Sequence, residues 1–200
     1  MVTGGKPLFS KFKIKFIFIV LIAAAVAILI WQHKRIISSF YPLKYNDLII
    51  KYSSEYGIDP YLVSALINVE SHYNPKAQSH KDAKGLMQVT PQTGKWAAQS
   101  LSIDRFDDTM LFNPEVNIKI GCWYLYNLSR EFDISPSNTD YVVLLAAYNG
   151  GSGNVRKWLG NREYSMTGTE LDKIPFKETD RYVRMVLINY KIYRWLYPKF

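Results

Sequence analysis

The chain of 200 residues contains a single cysteine, Cys122, so no disulfide can form within it. Cys122 falls inside a helical pattern and reads as a small buried apolar residue. Acidic residues are missing from the first 44 positions, which hold seven Lys or Arg. Charge of either sign is missing from Phe16 to Trp31. Alternating apolar and polar runs of useful length are missing too, which argues against a β-rich domain. There is no internal repeat and no low-complexity tract. What remains is a length that suits one globular domain plus an appendage, with a fold that is all-α.

The appendage is the apolar run at the N-terminus. At about 1.5 Å per residue it falls slightly short of the roughly 30 Å hydrocarbon core. Lys13 and Lys15 before it, and Trp31, His33 and Lys34 after it, extend the usable span by snorkelling. A cleaved signal peptide is the competing reading, with Ala23, Ala24, Ala25 and Ala27 resembling a cleavage site. Ile28-Leu29-Ile30-Trp31 continues the apolar run past them, which favours an uncleaved anchor. The expected organisation is a basic cytoplasmic segment over 1–15, a transmembrane helix over 16–32 contacting the lipid bilayer, a juxtamembrane linker over 33–44, and an extracytoplasmic domain over 45–200. Lys6, Lys11, Lys13 and Lys15 set that orientation by the positive-inside rule.

The formal net charge of +8 belongs to the anchor and its flanks. Residues 45–200 hold 18 basic and 17 acidic residues, so no basic footprint for nucleic acid is expected in the globular part. His72, His80 and Asp82 match no familiar metal spacing, and Gly150-Gly151-Ser152-Gly153 lacks the strand and Lys-Ser/Thr of a phosphate loop. No metal and no cofactor are expected.

Helix starts are marked three times by the same device, Asp59-Pro60, Thr90-Pro91 and Asn113-Pro114, each an N-cap followed by proline at the first turn. Asn46 or Asp47 is expected to cap a further helix ending at Gly57. The helix from Asn113-Pro114 carries a stripe of Asn117, Ile120, Gly121, Tyr124, Leu125 and Leu128. Further helices are expected over about 140–148, 154–159 and 180–196.

Glu70 stands out against this pattern. The stripe of the Asp59-capped helix runs Val63, Leu66, Ile67, and its next step lands on a carboxylate. Asn74-Pro75 is expected to end that helix and leave Glu70 near an exposed rim. A carboxyl shielded there keeps its proton near neutral pH and can act as a general acid.

Glu70-Ser71, Asn74-Pro75, Ser79, Gly85-Leu86-Met87-Gln88, Ala147-Tyr148-Asn149, and Ile174-Pro175-Phe176-Lys177-Glu178-Thr179 followed by Tyr182-Val183 together resemble the lytic transglycosylase domain of the soluble lytic transglycosylase type. The similarity spans about residues 45–197. It implies a lysozyme-like helical fold related to goose-type lysozyme, and cleavage of the β-1,4 bond between N-acetylmuramic acid and N-acetylglucosamine in peptidoglycan glycan strands. By this resemblance Glu70 protonates the glycosidic oxygen, then deprotonates the muramic C6 hydroxyl, which closes a 1,6-anhydro ring on C1. Gln88 would line the cleft, Met87 pack behind Glu70 or against a sugar, and Ser79 hydrogen-bond near the reacting sugar. Tyr148 would orient acid or substrate, Asn149 support its turn, and Glu178 contact substrate. Tyr182 occupies a family-typical position on the last helix.

Two other readings stay open on sequence alone. A hydrolytic lysozyme on the same fold would need a second carboxylate, with Asp82, Asp104 or Glu178 as nominees. A non-catalytic wall-binding or assembly protein would keep the cleft and lack turnover.

Overall fold

In the computed structural model, residues 8–134 and 141–200 are described, the side chains of 8–15, 27, 30 and 31 excepted. Residues 1–7 of the expected basic segment 1–15, and Asp140, the expected start of one helix, lie outside them. The chain divides after Phe40 into two units.

The first is one helix, α1 (Leu8–Phe40), whose described apolar residues, Phe16 to Leu29, are exposed. Among the described residues no helix is both long and apolar enough to cross a membrane. Residues 33–40, expected in the linker, continue α1 without a break, and the helix stops two residues before Pro42.

The second unit is built from α2 (Asn46–Tyr56), α3 (Pro60–Ser71), α4 (Pro91–Ser100), a short 3₁₀ helix (Asp108–Phe112), α5 (Pro114–Glu131), α6 (Val142–Gly150), α7 (Ser152–Leu159) and α8 (Lys177–Leu196). Its described residues contain no strand, only isolated bridges joining Lys84 to Gln78 and to Val89. All three cap-proline starts form as their residues dictate. Asp59 accepts from the Tyr61 amide at 2.8 Å, Thr90 from Thr93 at 3.2 Å, and Asn113 from Glu115 and Val116 at 2.9 and 3.2 Å. Each cap is worth about 1 kcal/mol.

Several boundaries depart from the sequence reading: α7 and α8 begin at Ser152 and Lys177, ahead of the expected 154 and 180, and two differ in their caps. Neither Asn46 nor Asp47 caps α2; Tyr45, in a left-handed conformation at φ 57°, occupies that position without a side-chain bond. α3 ends before Asn74-Pro75, because His72 and Tyr73 turn left-handed at φ 49° and 61°. Asn74 instead accepts from the Lys76 amide in the following turn.

α3 and α6 lie at the centre, buried along Leu62–Asn68 and Val143–Ala147. α8 packs along both, α5 packs on α2, α4 and α6, and the 3₁₀ helix covers α4 and α5. The C-terminal ends of α3 and α6 and the first half of α8 therefore come to one region, beside the loop 85–88.

Candidate functional site

Glu70 sits in the last turn of α3, below Val63, Leu66 and Ile67, which are fully buried. Its own side chain is partly buried. The loss of hydration raises its pKa to about 7, partly opposed by a hydrogen bond from Tyr182. That bond runs from the Tyr182 hydroxyl to Glu70 Oε1 at 2.7 Å. The other carboxyl oxygen, Oε2, takes no part in that bond. Tyr182 is itself buried in α8, and burial together with the Glu70 charge holds its hydroxyl well above the ordinary tyrosine range.

The loop 85–88 is held against this carboxyl from three sides. Ser71 donates to the Leu86 carbonyl at 2.8 Å from the end of α3. The Tyr148 hydroxyl donates to the Met87 carbonyl at 2.7 Å from α6. The Met87 amide donates to Asn117 Oδ1 at 2.7 Å on α5, while Asn117 Nδ2 donates to the Lys84 and Leu111 carbonyls, both at 2.8 Å. Tyr148 does not bond Glu70, yet the Glu70 charge reaches it and, after burial, is the next influence raising its pKa.

Gly85 makes the turn into this loop at φ 77°. A Cβ there would collide with the Leu111 carbonyl and the Asn117 amide. Gly85→Ala is therefore expected to cost roughly 2–5 kcal/mol from left-handed strain and overpacking together, read as a fall in the denaturation midpoint.

Of the two places expected for Met87, behind Glu70 or against a sugar, its burial leaves only packing within the protein. Its side chain is fully buried and rests on Gly121, where an added Cβ would lie 2.6 Å from the Met87 methyl carbon. No ligand can touch that side chain; what faces the neighbouring elements is its backbone. Gln88 is partly exposed and left-handed at φ 48°, with its amide nitrogen donating to the Gly85 and Ala77 carbonyls at 2.9 and 3.2 Å. Its amide oxygen remains for another partner. Ser79 accepts from the Ala83 and Lys81 amides at 3.1 and 3.3 Å and so closes its own loop. Asn149 is exposed and accepts from Thr179 at 2.9 Å, which ties the end of α6 to the first turn of α8. Glu178 stands exposed in that same turn, one helical turn before Tyr182.

Glu70, Met87, Tyr148 and Tyr182 are thus joined through hydrogen bonds and charge, with Gln88 on the same loop. Ser79, Asn149 and Glu178 share no hydrogen bond with Glu70. Asp82, considered for a metal with His72 and His80, is engaged by Lys84 at 3.0 Å and by the Gln78 amide. Asn117 was not singled out from sequence as a site residue. The available signal was an amide at the head of an otherwise apolar stripe, where burial demands partners.

Comparison with known proteins bears on the same region. The family profile described as the transglycosylase SLT domain matches residues 47–168. The chain is similar to the soluble lytic murein transglycosylase of Escherichia coli, at 35% identity over 87% of this chain and 26% of that protein. It is 34% identical to the membrane-bound lytic murein transglycosylase C of Sodalis glossinidius, covering 76% of this chain and 47% of that one. Among solved structures, the 70 kDa soluble lytic transglycosylase of E. coli superposes with a TM-score of 0.68 at 34% identity, over 86% of this chain and 27% of that one. An inactive glutamate-to-glutamine mutant of the lytic transglycosylase Slt from Pseudomonas aeruginosa superposes at 0.66 with 29% identity, over 78% of this chain and 24% of that one. The chain thus spans about a quarter of the soluble relatives it matches. With the profile covering more than half of its residues, this protein belongs to the transglycosylase SLT domain family.

Proposed function

We propose that this chain is a membrane-anchored peptidoglycan lytic transglycosylase, with Glu70 as its acid and base. The observation that carries the reading is a carboxyl whose burial brings its pKa to about 7, so that near neutral pH it both gives and takes a proton. Protonated on Oε2, Glu70 gives its proton to the glycosidic oxygen as the bond to C1 of N-acetylmuramic acid breaks. The carboxylate so formed takes the proton of the C6 hydroxyl, and the C6 oxygen closes on C1. The products are an N-acetylglucosamine end and a 1,6-anhydro-muramic end, with no water consumed. The transition state carries oxocarbenium character, as in glycosidases generally.

Tyr182 positions Glu70 rather than touching sugar, since its hydroxyl is committed to Oε1. Gln88, Ser79, Tyr148, Asn149 and Glu178 are proposed to contact or orient the glycan, and Met87 contributes through its backbone. Burial and the Tyr182 hydroxyl are the influences acting on Glu70, and no second carboxyl among the described residues adds to them. Of the carboxylates nominated for activating a water, Asp82 is ion-paired while Asp104 and Glu178 face solvent, and the products distinguish such a base from attack by the substrate's own hydroxyl.

Residues 16–32 are proposed as the membrane anchor, with the N-terminus cytoplasmic and the domain from 45 onward outside. The uncharged run and the basic residues before it support this, as does similarity to proteins named membrane-bound lytic murein transglycosylases.

Digestion of purified cell wall in heavy-oxygen water tests the reaction. Anhydro-muramic ends without label are expected by mass spectrometry. Labelled reducing ends would instead identify a hydrolase, and binding without fragment release a wall-binding protein. Tyr182→Phe removes the bond that favours the charged form of Glu70. The alkaline limb of the pH–rate profile is therefore expected to move to higher pH, with about a tenfold loss of rate from poorer orientation.

A further inference from the structure

α8 presents Tyr182, Val183, Val186, Asn189, Tyr190 and Tyr193 to the core. One outer flank is apolar as well. Met185, Ile188 and Trp195 recur there at helical spacing and are 42, 56 and 47% exposed. Ile192, between them on the same line, is half-buried. The outer side of a surface helix is ordinarily polar, so a second apolar stripe beside the first points to a surface that covers it.

Charge around the stripe narrows what that surface is. Residues 181–200 contain five basic residues, Arg181, Arg184, Lys191, Arg194 and Lys199, and no acidic one. All five are exposed, and while Arg194 turns over the core-facing Tyr190 ring, Arg181, Arg184 and Lys191 flank the stripe. Residues 45–180 hold thirteen basic against seventeen acidic residues, so the positive charge of the globular unit is concentrated on this helix and its tail. The acidic residues of α8, Glu178 and Asp180, are confined to its first turn, and Asp180 pairs with Arg184 at 3.1 Å. An apolar stripe rimmed by Lys and Arg matches a bilayer surface with anionic headgroups. The apolar side chains enter the headgroup boundary, and the basic stems lie along it with their charges at the phosphates. Nucleic acid would satisfy the charges and leave the stripe in water.

Covalent continuity supplies a second, independent observation. The Tyr193 hydroxyl donates to the Pro42 carbonyl at 2.9 Å, and the Tyr197 hydroxyl to the Tyr41 carbonyl at 2.7 Å. Tyr41 and Pro42 follow directly on the last residue of α1. The C-terminal half of α8 is therefore tied to the residues that directly follow α1, ten positions past Trp31, where the uncharged run ends.

We infer that the Met185–Ile188–Trp195 stripe with its basic rim is an interfacial docking face for an anionic lipid surface. This rests on the anchor proposed above. Tyr182 is buried beside Glu70 and is no part of the docking face.

The test uses the full-length chain in vesicles of phosphatidylcholine with or without phosphatidylglycerol. Ile188→Cys carries an environment-sensitive fluorophore, and buried Cys122 does not compete for the label. In phosphatidylglycerol vesicles the emission is expected to shift to the blue and iodide quenching to fall about threefold or more. High salt, omission of the anionic lipid, or Arg181→Glu with Lys191→Glu is expected to abolish that protection. The same label at Gln99→Cys on α4 stays quenchable throughout. If the chain floats with the vesicles while position 188 is quenched as readily as position 99, the docking face is wrong and the anchor stands. A chain that does not float overturns both. Protection that appears without vesicles and grows with protein concentration would assign the stripe to a second copy, and so overturn the lipid reading.

Discussion

Glu70→Gln is expected to lower fragment release from cell wall by about a thousandfold or more, since one side chain performs both proton transfers and each contributes about 10²–10⁴-fold. The fold is expected to survive, because the glutamine carbonyl can still accept from Tyr182. Stability offers a sharper signature than activity. The folded pKa of Glu70 is about 7, above the ordinary value of 4.5, so between those pH values the folded chain holds a proton that the unfolded chain releases. Native stability therefore falls as pH rises through that window and levels off above it. The difference corresponds to about 3 kcal/mol. Glu70→Gln lacks this cost, so the two proteins are expected to melt alike near pH 4 and the variant to be the more stable at pH 8. Asp82, Asp107 and Glu115, whose pKa values are lowered by hydrogen bonds, respond in the opposite sense and at lower pH. They do so equally in both proteins, and the comparison isolates Glu70. Parallel pH–stability curves would remove the burial argument.

Asn117→Ala is expected to be the most damaging change outside the acid itself. One amide satisfies the Met87 amide and the carbonyls of Lys84 and Leu111, all inside the protein. Removing it leaves the Met87 amide and the Leu111 carbonyl without that partner, at about 1–3 kcal/mol each, takes one of two donors from the Lys84 carbonyl, which keeps the Val89 amide, and opens a void beside Gly85. A loss of about 3–5 kcal/mol is expected by denaturant unfolding, a large share of the stability of a domain this size. The damage is also directional, because the Met87 carbonyl is the partner of Tyr148 and the loop carries Gln88. A surviving Asn117→Ala protein is expected to lose rate as well, whereas Asn117→Asp, which keeps the acceptor for the Met87 amide, should lose less of both. Equal effects from the two substitutions would mean that the amide does not hold the loop.

Helix starts were legible because their chemistry is local: Asp59, Thr90 and Asn113 each cap within three residues. The end of α3 was not, because its stop is a left-handed His72-Tyr73 pair with no glycine or proline to mark it. The bridges at Gln78, Lys84 and Val89 were equally silent, since their pairing depends on the loop being pressed between α3 and α5. In the site, Glu70 could be read from sequence because a carboxylate interrupted an apolar stripe. Its environment could not be read that way. Tyr182 lies 112 positions away along the chain, and Tyr148 meets Met87 across 61. Met87 shows the limit most clearly: composition allows either a wall or a filler, and only the absence of a side chain at Gly121 decides for the filler.

Titration of the Glu70 carboxyl, read as the difference in carboxyl-carbon NMR shifts between the native chain and Glu70→Gln, tests the central claim most directly. A single group titrating near pH 7, displaced upward in Tyr182→Phe, is the result expected here. A carboxyl that ionises near 4.5 and ignores Tyr182 would contradict it, and would leave the chain without the group that lends and reclaims the proton.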